Sequence, residues 1–503
     1  MRKVVLLNDH FSKNRYDHYN QGMKRAPSGI LPVIAAERKS AKPLYRQLYE
    51  GYREAIVERR LRAGQRLPST RSLASELGIS RIPVLTAFAQ LLAEGYLESQ
   101  VGAGTYVARS LPEEVVPAAR AGRVREKKPG RRIEPWLGGF GPFRASETAI
   151  DLFPFQVWSS LVARHCRNPT RSLLRYGDPM GWQPFREAIA SYLRTARAVR
   201  CEADQIMVVS GSQQALQVSA RVLLEPGFPV WVEEPGYAGA REALSMSGAR
   251  LVPIPVDEEG LEVASGVARC KTARAAHVTP SHQYPLGATL SASRRLALLD
   301  WARRSGAWIL EDDYDSEYRY ESHPIASLQG LDRDARVVYI GTFSKVLFPG
   351  LRIGYIVIPS VLVPRFAAVR EAMDIFPPTL FQAALTDFLN EGHFARHLRK
   401  TRQLYRERRS ALVDAIRSEL GGGVEVLGEQ AGMHLVVTLP NRWSDREVSV
   451  RAARDGIWAM PLSSCYLEEP FRRGLVLGYG GTSAREIPSA VRRLRAAFRA
   501  RPT

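Results

Sequence analysis

"GTFSKVLFPGLRIGY" (Gly341–Tyr355) places one lysine, Lys345, among small and apolar residues, with Arg352 later in the same stretch. A solitary lysine is ordinarily a solvated surface charge. Here the run leading into it, "ARVVYIGTF" (335–343), is β-branched and apolar and reads as a buried strand, so Lys345 falls just past a strand end. Open α/β sheets gather their ligands at such ends. A lysine amine that can shed its proton is a nucleophile, and an aldehyde cofactor can be held on it as a Schiff base.

Reading outward, "QIMVVSG" (205–211), "FPVWVEEPGY" (228–237), "AAHVTP" (275–280) and "AWILEDDYD" (307–315) are further strand-like runs. "SQQALQVSARVLL" (212–224) and "SASRRLALLDWARRSG" (291–306) have helical spacing between them. Alternation of this kind predicts an α/β domain with a largely parallel sheet and helices on its faces. Polar clusters follow several of the strands, and together they supply what pyridoxal phosphate needs beside a lysine. An acid must face the ring nitrogen, and Asp312 or Asp313 stands at a strand end to do so. Ser212 and Gln213 open a helix directly after Gly211, where free N–H groups and the helix dipole favour an anion. Thr342 adds a hydroxyl and Arg352 a planar positive fork. Tyr237, just past "VWVEEPG", is placed to stack on a flat ring.

The rest of the chain bounds the reading. At 503 residues it is too long for one ordinary core, so two or three domains are expected. No run of 18 apolar residues occurs, so no membrane span is read. The cysteines are widely separated, which suits a reducing, cytoplasmic setting and gives no metal-type pairing. The formal charge is +20, which favours phosphate-bearing partners. The first 110 residues hold about twice as many basic as acidic side chains and supply nearly half of that excess. "PAARAGRVREKKPGRR" (117–132) reads as an exposed linker behind this basic unit.

Within the basic unit, "LPSTRSLASELG" (67–78) gives a helix capped by Ser69 and ended by Gly78. Ser80 can cap the next helix, which runs through Val84, Phe88 and Leu92. Two short helices across a tight turn form a helix-turn-helix, whose second helix can enter a DNA major groove. "GYLESQVGAGTYVA" (95–108) then reads as a hairpin wing with Gly102 and Gly104 at its tip.

Two resemblances follow from these motifs. "LPSTRSLASELGISR" with "AEGYLESQVGAGTYV" resembles the GntR-type winged helix. That likeness implies double-stranded DNA contacts at Arg71 and Arg81, help from Arg66 or Ser69 through phosphates, and Gly104 in the wing at the minor groove. Pro83 departs from the threonine usual there. "YGDPMGWQPFREAI", "SGSQQALQ", "VWVEEPGY", "VTPSHQYPLGATLSASRR", "ILEDDYDSEYRY" and "GTFSKVLFPGLRIGY" resemble a fold-type I aminotransferase. The two joined resemble the MocR/GabR-type regulators of the GntR superfamily. The likeness implies that Lys345 carries pyridoxal 5'-phosphate and that Asp312, rather than Asp313, meets the pyridinium. Tyr314 is then expected near the phenolic oxygen and Tyr237 on the ring. Ser212, Gln213, Thr342 and Arg352 are expected on the phosphate, with Tyr176 reaching the neighbouring subunit's phosphate in a homodimer. Tyr284 stands where the enzymes usually have Asn before Pro-x-Gly. Val476 stands where they have a carboxylate-clamping arginine, with Arg472 and Arg473 close in sequence.

The expected organisation is a tail (1–41), a winged helix (42–110), a linker (111–140), a large cofactor domain (141–389) and a small α+β domain (390–503). The expected function is a transcriptional regulator that senses an amino compound through external aldimine formation. The alternative is an active aminotransferase with a secondary DNA-binding module.

Overall fold

The computed structural model describes residues 40–100, 102–111, 139, 141–320, 325–440 and 442–499. Most of the expected tail and linker lies outside them. The chain divides into two compact units, Met1–Arg131 and Arg132–Thr503.

The first unit is built on α1 (Leu44–Val57), α2 (Thr70–Glu76) and α3 (Arg81–Ala93), followed by β1 (Leu97–Gln100) and β2 (Gly104–Val107). Apolar residues at helical spacing, Leu48, Tyr52 and Ile56 on α1 with Val84, Phe88 and Leu91 on α3, close one core. Tyr52 meets Phe88 edge-on at 5.3 Å between ring centres. Burying one such side chain contributes roughly 2 kcal/mol. β1 and β2 pair antiparallel with Gln100 opposite Gly104. The turn needs glycine: Gly102 has φ 76° and Gly104 φ 119°. Helix, turn, helix and wing therefore stand as expected.

One capping expectation is corrected. Ser69 accepts a hydrogen bond from the Ser72 N–H, as a cap should. Ser80 occupies the equivalent position before α3, but its side chain makes no capping hydrogen bond. The residue that would donate, third in the helix, is Pro83, which has no N–H. Proline is tolerated there because the first turn's N–H groups have no intrahelical acceptor.

In the second unit eight strands form one sheet. They are β3 (Ile206–Val209), β4 (Pro229–Glu234), β5 (Arg250–Asp257), β6 (Gly260–Leu261), β7 (Ala275–Val278), β8 (Trp308–Asp313), β9 (Val337–Thr342) and β10 (Gly354–Val357). Their order is β3-β10-β9-β8-β7-β4-β5-β6. The centre, β9-β8-β7-β4-β5, is parallel, while β10 runs against both β9 and β3. β3, β7, β9 and β10 are buried along their length, which is why they read as unbroken apolar runs. Trp231 of β4 stacks on Trp301 of the helix Ala292–Ser305 at 3.9 Å. A second sheet, β11 (Val426–Leu427), β12 (His434–Leu439), β13 (Met460–Pro461) and β14 (Arg473–Gly478), is antiparallel in the order β11-β12-β14-β13. The helices His393–Leu420 and Ile487–Arg499 accompany it. This is the smaller α+β part.

The two serines separate experimentally. Ser69→Ala is expected to cost about 1 kcal/mol and lower the melting midpoint of the winged-helix unit by roughly 4–8 °C. Ser80→Ala is expected to leave the midpoint unchanged, because no cap is lost. Calorimetry of the full chain reads both.

Candidate functional site

The parallel strands β4, β7, β8 and β9 end on one side of the sheet, and the predicted pocket residues sit at or just beyond those ends. Adjacent residues of a strand face opposite sides, so Asp312 and Asp313 of β8 part company. Asp313 is spent on the fold. Its Oδ2 accepts from Arg197 Nη2 at 2.8 Å and from the Tyr339 hydroxyl at 2.5 Å, all of them buried. Oδ1 of each aspartate has no hydrogen-bond partner, but Asp312, equally buried, has only one loose partner for its charge, His277 Nε2 at 3.5 Å. A buried carboxylate with no cation close enough to answer its charge is costly unless a ligand completes it. Asp312 is thus the available acid of the two.

The anion cradle lies between β3 and β10. Gly211 has φ 89° and opens the helix Ser212–Leu223. Arg352 holds the left-handed conformation at φ 51°, and its Nη2 donates to the Ser210 carbonyl at 2.7 Å. A Cβ on Gly211 would come within 2.9 Å of that guanidinium. The cradle therefore requires glycine twice over, for its backbone angle and for its space. A non-glycine residue in the left-handed region costs on the order of 1 kcal/mol, which fits a fork fixed by its site. Gln213 Nε2 donates to the Tyr237 hydroxyl at 3.1 Å, which couples helix start to ring. Thr342 Oγ1 accepts from the Ser344 N–H at 3.1 Å and shapes the turn into Lys345. The Ser344 hydroxyl is buried without a partner.

Lys345 is half-buried in that turn. Burial pulls its ammonium down to about 8, assisted by the positive Arg352 and opposed by the carboxylates of Asp315, Glu147 and Asp312. The amine is therefore much more often neutral near physiological pH than a surface lysine. Asp312 and Arg352 also both act on the Tyr237 hydroxyl, whose pKa is raised chiefly by burial. Lys345, Asp312, Tyr237, Gln213, Arg352 and Thr342 thus come together as the sequence predicted, with Ser212 at the same helix start. Tyr176 does not join them within one chain. It is 83 % exposed, with Phe376 edge-on at 6.0 Å.

Around Tyr314, which the resemblance had named, stand several residues that carried no sequence signal of their own. Tyr314 hydroxyl lies 3.0 Å from His282 Nδ1, which is 3.1 Å from both oxygens of Asp315. His434, brought from β12, lies 5.0 Å from the His282 ring. Burial lowers its pKa to about 3, and the neighbouring His282 and Lys345 act in the same direction. Glu233 of β4 accepts from the Thr279 N–H and hydroxyl and from Gln283 Nε2, fastening the corner 279–285 to the sheet. Of this group only Tyr314 had been named from the sequence.

The clamp position is plainly apolar. Val476 lies opposite Val436 and packs with Val256, Leu286, Leu462 and Tyr466. Arg473 is on the other face of β14 and exposed, and Arg472 precedes the strand.

In the first unit Arg71 and Arg81 are exposed at the starts of α2 and α3, and Arg81 Nε donates to Thr70 Oγ1 at 3.1 Å. Arg66 lies over the wing: a Cβ on Gly104 would stand 3.2 Å from its Nε. Ser69, the α2 cap, is exposed beside them. The five predicted contacts thus fall on two helix starts and the wing.

Two family models match the chain. Aminotransferase class I and II covers residues 149–493, and the bacterial regulatory proteins of the gntR family cover residues 44–107. The chain is 41% identical over 476 residues to the probable rhizopine catabolism regulatory protein MocR of Rhizobium meliloti, covering 93% of this chain and 96% of that protein. It is 35% identical to the uncharacterized HTH-type transcriptional regulator YhdI of Bacillus subtilis, covering 93% and 98%. Among solved structures, the α-aminoadipate aminotransferase LysN of Thermus thermophilus, complexed with N-(5'-phosphopyridoxyl)-L-leucine, aligns with TM-score 0.67 and 29% identity over 72% of this chain and 93% of that one.

Two outcomes follow from the geometry. Asp313→Asn should cost about 3 kcal/mol in denaturant unfolding because it strands the buried Arg197 charge, whereas Asp312→Asn should cost less than about 1 kcal/mol. In cofactor-free protein, the rate of Lys345 modification by an amine reagent, followed by peptide mass analysis, should rise with pH about a midpoint near 8, well below the surface lysines.

Proposed function

The chain belongs to the MocR-type transcriptional regulators of the gntR family, a winged helix joined to an aminotransferase-like domain, and we propose that its pocket binds pyridoxal 5'-phosphate on Lys345 to sense an amino compound. The observation that carries this is the division of labour on β8. The charge of Asp313 is answered by Arg197 and Tyr339, while Asp312 has only His277 at 3.5 Å and stands beside an amine whose proton is loosely held.

The residues fit the group. Asp312 would face the ring nitrogen and hold its proton there. Ser212, Gln213, Thr342 and Arg352 would bind the phosphate, through free N–H groups, a hydroxyl and a guanidinium. Tyr237 would cover the ring, fixed by its bond from Gln213. Tyr314 would serve the phenolic oxygen. When bound, the cofactor supplies an aldehyde that exchanges one primary amine for another and a ring that withdraws electrons. Lys345 would hold the cofactor, and its lowered pKa would leave more of its amine in the neutral form that can condense with an aldehyde.

Signalling requires that the arriving amine favour one arrangement of the protein over another, since a ligand with equal affinity for both shifts nothing. Arg71, Arg81, Arg66, Ser69 and Gly104 would meet operator DNA, phosphates giving affinity and base edges giving sequence choice. The exposed Tyr176 supports a homodimer in which it reaches the partner's phosphate. The regulator would work beside DNA in the cytoplasm; among the described residues no helix is long and apolar enough to cross a membrane. The family-wide likeness to aminotransferases supports a second reading, turnover of an amino donor with a keto acid. The apolar Val476 speaks against it for ordinary amino acids.

Borohydride reduction followed by peptide mapping should find the cofactor on Lys345; recovery on another lysine would refute the assignment. Lys345→Ala should abolish the cofactor's absorbance band and the ligand response, with the fold retained. Arg71→Ala should weaken operator binding by about tenfold and leave the band unchanged. Complete conversion and recycling by a keto acid would instead favour the enzyme.

A further inference from the structure

Resting on the reading of the first unit as a DNA reader, the outward face of α3 restricts which base edges that unit can meet. An exposed helix ordinarily turns polar side chains to solvent. The helix α2 does so with Arg71, Ser72, Ser75 and Glu76. The helix α3 does not. Its core face is Val84, Ala87, Phe88 and Leu91, and its exposed residues are Arg81, Ile82, Leu85, Thr86, Ala89 and Ala93. From Ile82 onward these recur every three or four residues and form one stripe. Ile82 is 72% exposed and Leu85 43%, and neither joins the core of the unit. One isolated surface isoleucine would call for no explanation. A stripe with no charge after Arg81, in a chain of net charge +20, does call for one.

The polar groups beside the stripe are engaged locally. The Thr86 hydroxyl donates to the Ile82 carbonyl at 3.0 Å, one turn back, so its hydrogen is spent within the helix. Arg81 Nε donates to Thr70 Oγ1 at 3.1 Å, which ties its guanidinium toward α2. Pro83 has no N–H. Ile82, Pro83 and Leu85 therefore offer methyl and methylene groups alone. The first residues of a recognition helix are those that reach base edges in the major groove. There the thymine C5-methyl is the one large apolar group on view; cytosine shows an amino donor, adenine a donor and an acceptor, guanine two acceptors. A polar edge pressed against Ile82 would lose its water and gain no partner, whereas a methyl would be buried favourably. The stripe is continuous with the exposed Arg71 and Arg81 and lies within the residues matched by the gntR family model, 44–107.

We propose that Ile82, flanked by Pro83 and Leu85, is a specificity residue that reads a thymine C5-methyl group in the major groove, so that the operator carries thymine where α3 enters it. The arginines at the helix starts give affinity through phosphates and carry no sequence information there, and Ile82 supplies sequence choice without a hydrogen bond.

The test starts from a pool of random-sequence DNA duplexes, from which the full-length, cofactor-loaded protein selects its preferred site. The enriched duplex is then remade with deoxyuridine in place of thymidine, one position at a time, which removes only the methyl group. At the thymine facing Ile82 the affinity should fall about fourfold. 5-Methylcytosine paired with guanine at that position should bind about fourfold tighter than cytosine. Ile82→Ala, its folding checked by thermal melting, should bind the thymine and uracil duplexes within about twofold of each other. Its salt dependence should match that of the unaltered protein, because no phosphate contact is lost. Arg71→Ala should keep the methyl preference while weakening binding to every duplex. Uracil tolerated at every position, or Ile82→Ala retaining the full preference, would overturn the proposal. So would Ile82→Ala that binds DNA unchanged but self-associates less in sedimentation, which would assign the stripe to a second copy of the chain. Selection that enriches no duplex defeats the underlying reading, whereas a specific duplex bound without regard to any methyl group defeats this inference alone.

Discussion

The buried ion pair between Arg197 and Asp313 holds the pocket in shape. It joins the end of the helix Gln183–Arg197 to the end of β8, with Tyr339 of β9 closing the third side. Arg197 also donates to the Ser281 hydroxyl and the Ile325 carbonyl, so one guanidinium gathers the corner that carries His282. Charges buried this deeply are tolerated only when each has a full set of partners. Arg197 and Tyr339 meet Asp313 on one face of the strand, whereas Asp312 on the other face has only His277 at 3.5 Å. Two adjacent carboxylates thus do separate work through the two-residue period of a strand. Glu311, on the same face as Asp313, caps the Leu328 and Gln329 N–H groups; burial and the neighbouring Asp313 charge lift its carboxyl to about 7.

The anion cradle shows the same economy. A left-handed arginine, a left-handed glycine and the start of a helix meet because β10 runs antiparallel between β3 and β9. Gly354 permits this: a Cβ there would come within 2.8 Å of the Gly341 carbonyl and 3.1 Å of the Gly211 Cα. The strand order therefore sets the distance between Arg352 and the helix that begins at Ser212. Reversal of β10 would carry Arg352 to the other end of the sheet.

In the winged helix, one proline changes the use of one serine. Pro83 removes the N–H that a capping Ser80 needs, while Ser69 keeps its counterpart from Ser72. The α3 start loses a local bond and gains an uncommitted hydroxyl next to Arg81. Stability of that helix then rests on Val84, Phe88 and Leu91 in the core.

The sequence alone determined where strands and helices follow one another along the chain, the winged helix, and the candidate pocket residues from Ser212 to Arg352, because these are local signals. Period-two and period-3.6 patterning, glycine before a helix and polar residues after a strand are written in neighbouring positions. It left Asp312 and Asp313 alike until resemblance to known proteins favoured one, since adjacent carboxylates differ only in the face they take and the partners waiting there. It gave no sign that His434, Asp315 and Glu233 would crowd around the corner at His282, nor that Val476 would share a face with His434. Those relations join residues far apart in the chain, and strand register with buried hydrogen bonding decides them. Only the tertiary structure could show that Arg197 and Tyr339 meet Asp313 rather than Asp312 and that the lysine is desolvated, because each property is set by neighbours the local sequence does not name.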